Sequence, residues 1–321
     1  MAKVTLIDRK SNALTPSSLR CLSHLPTINM TAGCVHGCAY CYIRGYSQYP
    51  GDDAVVVYRN TAEQVERELK RKRKRPVAVC FCPSSDVFMP VEEVLDQSYR
   101  TMKLLLNQGV GVQFVTKGAI PERFFELFST QPELVAGQVG LTTLDDELNA
   151  AIEPHAATAD RRLENLQQLI DIGVTASLRA DPLIHGVTDD DAGLGALFAA
   201  AAKYGVRDVS ASYLFLRPAI IGSLRRSIHD EELLRRILAP FENVGRSSFN
   251  NRGADSGGTS LPVESRQTEL SRIRQLAECH GLVLRICGCK NGDITNSKCH
   301  LTNLTTTARA NKQAVQQPSL W

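Results

Sequence analysis

Three cysteines, Cys34, Cys38 and Cys41, stand in the run Gly33-Cys-Val-His-Gly-Cys-Ala-Tyr-Cys-Tyr42. Three thiolates at CxxxCxxC spacing on one short loop can hold three irons of a [4Fe–4S] cluster and leave the fourth iron without a protein ligand. An open iron is where a small molecule coordinates, so the spacing points to chemistry rather than to stapling or plain electron relay. Zinc is one rival, although structural zinc takes four protein ligands, commonly in two CxxC-type pairs. A disulfide with one spare thiol is another. The opening Met1-Ala-Lys-Val is charged and lacks the apolar stretch of a secretory signal, which implies a reducing, cytoplasmic setting.

The other cysteines also fall in clumps: Cys80 and Cys82, then Cys279, Cys287, Cys289 and Cys299, with Cys21 alone. Strand alternation would put Cys80 and Cys82 on one face, as core thiols, joint ligands or redox partners. In the C-terminal set, two thiols one residue apart suit an auxiliary iron–sulfur cluster or a zinc site, with His280 and His300 as reserve ligands. Left unligated, the Cys287-Gly-Cys289 pair would be a redox couple.

These residues need elements to hold them. Short β-rich runs alternate with helical patterns from about residue 26 to 217. Strand patterns lie at 28–31, 77–82, 110–115, 134–141, 174–178 and 206–216. Helical patterns lie at 61–74, where Thr61 and Gln64 have capping-box spacing and Pro76 ends the run, and at 91–106, after Pro121, at 161–172 and at 194–203. Six such units predict an α/β fold, a parallel sheet curled into a partial (β/α)6 barrel, with chemistry at the C-terminal ends of the strands. The first two cysteine clumps fall at those ends. The expected division is an N-terminal segment at 1–25, the barrel at 26–240 and a cysteine-containing extension at 241–321. Within the extension, 245–260 reads as a connection or lid rich in Gly, Ser and Asn, 264–280 as a helix and 282–286 as a strand that delivers Cys287.

Composition narrows the function classes. A 43% hydrophobic fraction over 321 residues is ordinary for a globular chain, and no apolar run is long enough to span a bilayer. A net charge of +3 is too mild to imply nucleic-acid binding by itself. The one strong charge run, Lys70-Arg-Lys-Arg-Lys-Arg75, reads as a solvated helix end or a docking point for a partner such as a flavodoxin- or ferredoxin-type electron donor. No aromatic residues interleave it to stack bases.

The cysteine loop resembles that of the radical S-adenosylmethionine (SAM) superfamily, and the ordered motifs after it resemble the spore photoproduct lyase-like branch. These are Cys82-Pro-Ser-Ser-Asp86, Met89-Pro-Val-Glu92, Thr116-Lys117, Thr142-Thr-Leu-Asp-Asp-Glu147, Glu153-Pro154, Arg162-Leu163 and Leu178-Arg-Ala-Asp-Pro-Leu-Ile-His-Gly-Val-Thr-Asp189. The resemblance implies that a cluster on Cys34, Cys38 and Cys41 binds SAM and cleaves it reductively, giving a 5′-deoxyadenosyl radical that abstracts hydrogen from a substrate. It implies SAM contacts from Ser84, Ser85, Lys117, Arg179 and Thr142 or Thr143. It also implies hydrogen-atom return through Cys82 with help from Tyr40 and Tyr42. The branch's Gly-Gly-Glu segment is absent, Pro83-Ser84-Ser85 is one residue longer than the pattern, and the Cys279, Cys287, Cys289 and Cys299 set replaces the lyase's DNA-engaging end. The substrate, a small molecule or nucleic acid, is therefore open. Two other readings stand beside this one: 3-amino-3-carboxypropyl transfer from SAM, and a non-catalytic metal protein binding nucleic acid through the basic run.

Overall fold

The computed structural model describes residues 2–17, 20–242, 244–245 and 258–295. Its strands are β1 (Lys3–Ile7), β2 (Thr15–Pro16), β3 (Pro26–Ile28), β4 (Thr31–Ala32), β5 (Ala54–Tyr58), β6 (Ala78–Phe81), β7 (Gly111–Thr116), β8 (Val135–Gly140), β9 (Thr175–Leu183), β10 (Asp208–Tyr213) and β11 (Val283–Ile286). Its helices are α1 (Thr61–Arg71), α2 (Glu92–Leu106), α3 (Glu122–Ser129), α4 (Asp146–Ile152), α5 (Ala159–Asp171), α6 (Asp191–Lys203), α7 (Pro218–Ser227), α8 (Glu231–Leu238) and α9 (Val263–Cys279). Eight strands form one sheet in the order β11-β10-β9-β8-β7-β6-β3-β2. From β3 to β11 every pairing is parallel, and only β2 runs antiparallel, against β3. The sheet does not close on itself, so this is the partial barrel that the six alternating units foretold. β11, from the segment read as an extension, adds a seventh parallel strand beside β10.

Three local expectations change. The helix read over 61–74 ends at Arg71, where Lys72 turns extended, because stacked cations repel and Pro76 bars helix ahead of it. Thr61 does not cap that helix: its hydroxyl donates to Tyr58 O at 2.7 Å, and Asn60 occupies the cap position without a side-chain bond. β9 runs to Leu183, well past 178, because β10 pairs with it as far as Leu183, whereas β8 reaches only Arg179. Residues 246–257 of the expected lid lie outside the described residues, while Thr259 bridges back to Leu216 with N···O distances of 2.8 Å in both directions.

Burial explains the frame. Val79 and Phe81 of β6, Phe114 of β7 and Val139 of β8 are fully buried, and Phe114 packs with Phe88 and Phe128 between the sheet and its helices. A polar band crosses the same sheet. Gln138 Nε2 donates to Ser177 Oγ and Ser210 Oγ at 3.0 Å each, and Gln138 Oε1 accepts from Arg179 Nη1 at 3.1 Å. Burying these groups is tolerable because they satisfy one another, and the band fixes Arg179 on β9.

A second, three-stranded sheet, β1-β5-β4, was not anticipated, although Ala54-Val-Val-Val-Tyr58 carries a clear β-branched signal. Its strands β4 and β5 lie on either side of the cysteine loop in the chain. β4 ends at Ala32, and Gly33 then turns with φ +88°, where an added Cβ would lie 2.7 Å from Ala54 O.

Candidate functional site

The C-terminal ends of the strands open on a cavity of about 640 Å³. Cys34, Cys38 and Cys41 all line it. Their loop is pinned from three directions. Thr31 Oγ1 donates to Gly33 O at 2.8 Å, Arg44 donates to Cys38 O and Gly37 O, and Ala39 N donates to Ile152 O at 2.8 Å at the end of α4. Burial pushes all three thiols up from their ordinary value, while Lys117 works the other way on Cys38 and Cys41. Such thiols ionise only where a cationic centre offsets the burial. A [4Fe–4S] core is such a centre, so these residues fit it, and the open corner left by three ligands would lie at the cavity.

Two charged groups organise the loop from behind. His36 lies between the first two cysteines and is buried. Its Nε2 faces Asp86 Oδ2 at 3.1 Å and its Nδ1 faces His155 O at 3.0 Å. Burial opposes the imidazolium, but Asp86 raises its pKa above 6.5 on balance. Asp86 also accepts from Phe88 N, Thr116 Oγ1 and Lys117 N, each at 2.8 Å, which ties the end of β6 to the end of β7. Glu153, whose side chain is fully buried, accepts from Tyr40 and pairs with Arg162 and, at 3.1 Å, with Lys117. Burial would raise its pKa, yet Lys117 and Arg162 hold it down to about 2.

The other expected site residues divide. Ser84, Ser85, Lys117 and Arg179 line the cavity, and Arg179 also pairs with Asp181, which accepts from Lys290 Nζ at 2.5 Å. Thr142 and Thr143 are buried and are not among the lining residues. Thr143 instead braces the turn before α4, its Oγ1 accepting from Asp145 N at 3.0 Å and its carbonyl from the Asn149 side chain. Cys80, Cys82, Tyr40 and Tyr42 do line it. Cys82 leaves the strand with φ +48°, in a left-handed region that non-glycine residues seldom adopt. Its Sγ accepts from Met30 N at 3.5 Å. Burial pushes the Cys80 and Cys82 thiols up to about 12, so both stay protonated at neutral pH. The Tyr42 hydroxyl donates to Pro83 O, next to Cys82.

At the far wall, Cys287 and Cys289 line the cavity together with Cys21, the residue that stood alone in sequence. Cys279 is exposed at the end of α9, the opposite end of β11 from Cys287, so the structure separates it from that pair. Cys299 lies outside the described residues, as does His300. The basic run is exposed and leads into the N-terminal end of β6, the edge of the sheet away from the cavity. Lys70 there pairs with Glu66 at 2.7 Å.

His36, Asp86, Glu153, Arg162, Arg217 and Lys290 were not singled out as site residues. Glu153, Arg162 and Asp86 sit inside motifs quoted above, and His36 sits between cysteines, so their positions offered a signal. Arg217 and Lys290 offered none.

The sequence model of the radical SAM superfamily matches residues 28–194. A radical SAM Nα-GlyT isomerase of Pseudomonas phage M6 is 28% identical over 205 residues, covering 62% of this chain and 42% of that protein. An uncharacterized protein of Mycobacterium tuberculosis is 27% identical over 205 residues, covering 61% and 60%. The chain thus spans about half the length of these relatives. Spore photoproduct lyase in complex with dinucleoside spore photoproduct superposes with a TM-score of 0.66 at 14% identity, covering 88% of this chain and 82% of that one. Streptococcus suis SuiB bound to S-adenosylmethionine superposes with a TM-score of 0.52 at 11% identity, covering 86% and 50%. At such identities the structural likeness shows the fold alone. Among the described residues, no helix is long and apolar enough to cross a membrane.

Proposed function

Because this chain belongs to the radical SAM superfamily, we propose that it is an enzyme that abstracts hydrogen from an organic substrate held in the 640 Å³ cavity. Cys34, Cys38 and Cys41 would hold a [4Fe–4S] cluster, which together with SAM supplies reductive sulfonium cleavage and a 5′-deoxyadenosyl radical. One observation carries this reading: three thiols on one pinned loop open onto the same cavity as Lys117, Arg179 and the buried Cys82. Lys117 and Arg179 offer cations to a carboxylate. Ser84 and Ser85 offer hydroxyls to an ammonium group. Cys82 keeps its proton through neutral pH and can return a hydrogen atom from its weak S–H bond. Tyr42, hydrogen-bonded to the adjacent Pro83 carbonyl, sits beside that relay, whereas the Tyr40 hydroxyl is committed to Glu153 and positions the loop.

The cavity rim favours a nucleic-acid-derived substrate. Arg217 and Lys290 each lie over the Phe215 ring, 5.3 Å from its centroid, so the ring positions two cations in the cavity lining that suit the phosphates of such a substrate. The dinucleoside named with the lyase is of that class. Phe215→Ala should weaken binding of a thymidine dinucleotide at least tenfold, and unchanged binding would remove this assignment.

Anaerobic reconstitution, reduction with dithionite and chromatography test the main reading. The expected product from SAM is 5′-deoxyadenosine, lost in Cys34→Ala/Cys38→Ala/Cys41→Ala. Methylthioadenosine in its place would establish 3-amino-3-carboxypropyl transfer. A full cluster that cleaves nothing would reject both.

A further inference from the structure

The turn carrying Cys287 and Cys289 is built from the inside. Lys290 N and Asn291 N donate to Cys287 O at 3.2 and 3.1 Å. The Asn291 side-chain amide donates to the same carbonyl at 3.0 Å and to Ser212 Oγ at 3.3 Å, and its Oδ1 accepts from Arg266 Nη1 at 2.9 Å. Arg266, 4% exposed on α9, also donates Nε to Leu261 O at 2.9 Å and pairs with Asp293. A buried guanidinium thus holds the turn against the end of β10. Burying that charge is costly unless its partners are in place, so the turn's shape is strongly specified.

Cys21 meets this turn from the other end of the chain. The short 3₁₀ turn Arg20–Leu22 presents it so that its backbone N–H donates to Cys289 Sγ at 3.2 Å, across 268 residues of sequence. An N–H aimed at sulfur stabilises that sulfur when it is anionic, since a neutral thiol is a weak acceptor. Metal-ligating thiolates need such supporting bonds. Cys21, Cys287 and Cys289 all line the cavity that holds Cys34, Cys38 and Cys41. Zinc would draw its sulfurs to about 3.8 Å from one another, given Zn–S bonds of about 2.3 Å in a tetrahedron. Among the described residues, three ligand atoms come within 4.8 Å of one another at His185, Asp189 and Glu269, and at neither cysteine triplet. Cys289 is hydrogen-bonded to the Cys21 and Cys287 side chains, yet the three sulfurs as a set are not all within 4.8 Å of one another, as is also true of Cys34, Cys38 and Cys41, so the triplet matches the loop read as a cluster site rather than a closed zinc site.

We propose that Cys21, Cys287 and Cys289 are protein ligands of a second iron–sulfur cluster on the wall of this cavity, with Cys21 in the place that sequence spacing assigned to Cys279. The site extends the function proposed above to a second metal centre, and its test is independent of SAM cleavage.

Iron is counted in Cys34→Ala/Cys38→Ala/Cys41→Ala after anaerobic reconstitution with iron and sulfide. About four irons per chain should remain, with an electron paramagnetic resonance signal after reduction. Adding Cys21→Ser should bring the count below about one, and adding Cys279→Ser should leave it unchanged. Iodoacetamide footprinting of the iron-loaded background, which needs no change at Cys21, should show Cys21, Cys287 and Cys289 protected and Cys279 labelled. Chelation should then expose all three. Loss of all iron in the background, one zinc in its place, or alkylation of Cys21 at the rate of Cys279 would each overturn the proposal.

Discussion

Glu153→Gln should be among the most damaging conservative substitutions in the chain. The carboxylate has no solvent exposure and answers two cations, Arg162 at 1% side-chain exposure and Lys117 at 17% and 3.1 Å. At an effective dielectric of 20, each contact of that length is worth about 5 kcal/mol before desolvation is charged against it. Neutralising Glu153 leaves Arg162 buried without a counter-charge, and breaking a buried pair in this way costs about 3–5 kcal/mol. That is a large share of the roughly 5–15 kcal/mol by which domains are stable. Urea unfolding of the metal-free protein measures it, with a midpoint shift of about 1–2.5 M expected for a slope near 2–3 kcal/mol/M. Arg162→Met added to Glu153→Gln should recover part of the loss, because the orphaned cation is gone, and the two changes should depart from additivity by about 1–3 kcal/mol. A single-variant loss below about 1 kcal/mol, or strict additivity, would refute the electrostatic account. The same variant should reconstitute less iron, since Glu153 holds Tyr40 and the neighbouring Ile152 carbonyl pins Ala39 in the cysteine loop.

Two further outcomes follow from the site. Glu153 falls from its ordinary 4.5 to about 2 on folding, so it contributes stability that is complete above pH 4.5 and lost as pH falls through 2. Acid titration of stability should therefore be steep between those limits and visibly flatter in Glu153→Gln; equal slopes would contradict the depressed value. Gly33→Ala combines φ +88° with a Cβ placed 2.7 Å from Ala54 O, so it should cost about 1–3 kcal/mol and reduce bound iron, as read by thermal melting and iron assay. Wild-type melting and iron content would show that the loop relaxes freely.

The barrel was legible because its signals are local. Alternating strands and helices, Gly173 after α5 and the β-branched strand cores all appear within windows of a dozen residues. α4 and α7 escaped notice because α4 is a short helix capped by Asp145 inside a motif read for chemistry, and α7 opens on Pro218 with little periodicity. The extent of β9 depended on its partner β10, which no local window contains.

The cysteine loop itself was determined by sequence alone. Ligands three and four residues apart are forced to be neighbours by chain length, so Cys34, Cys38 and Cys41 could be grouped without any fold. Ser84, Ser85, Lys117 and Arg179 followed from the motifs that resemble the radical SAM superfamily, and all four line the cavity. Tertiary structure decided what lies far apart in sequence. It set Glu153 beneath Tyr40 and Asp86 against His36, contacts that span 113 and 50 residues. It sent Cys279 to one end of β11 and Cys287 to the other, because the extended strand Val283–Ile286 lies between them. It brought Cys21 to Cys289 across nearly the whole chain. Proximity along the chain is a covalent fact, whereas proximity across it depends on how β2, β3 and β11 take their places in one sheet.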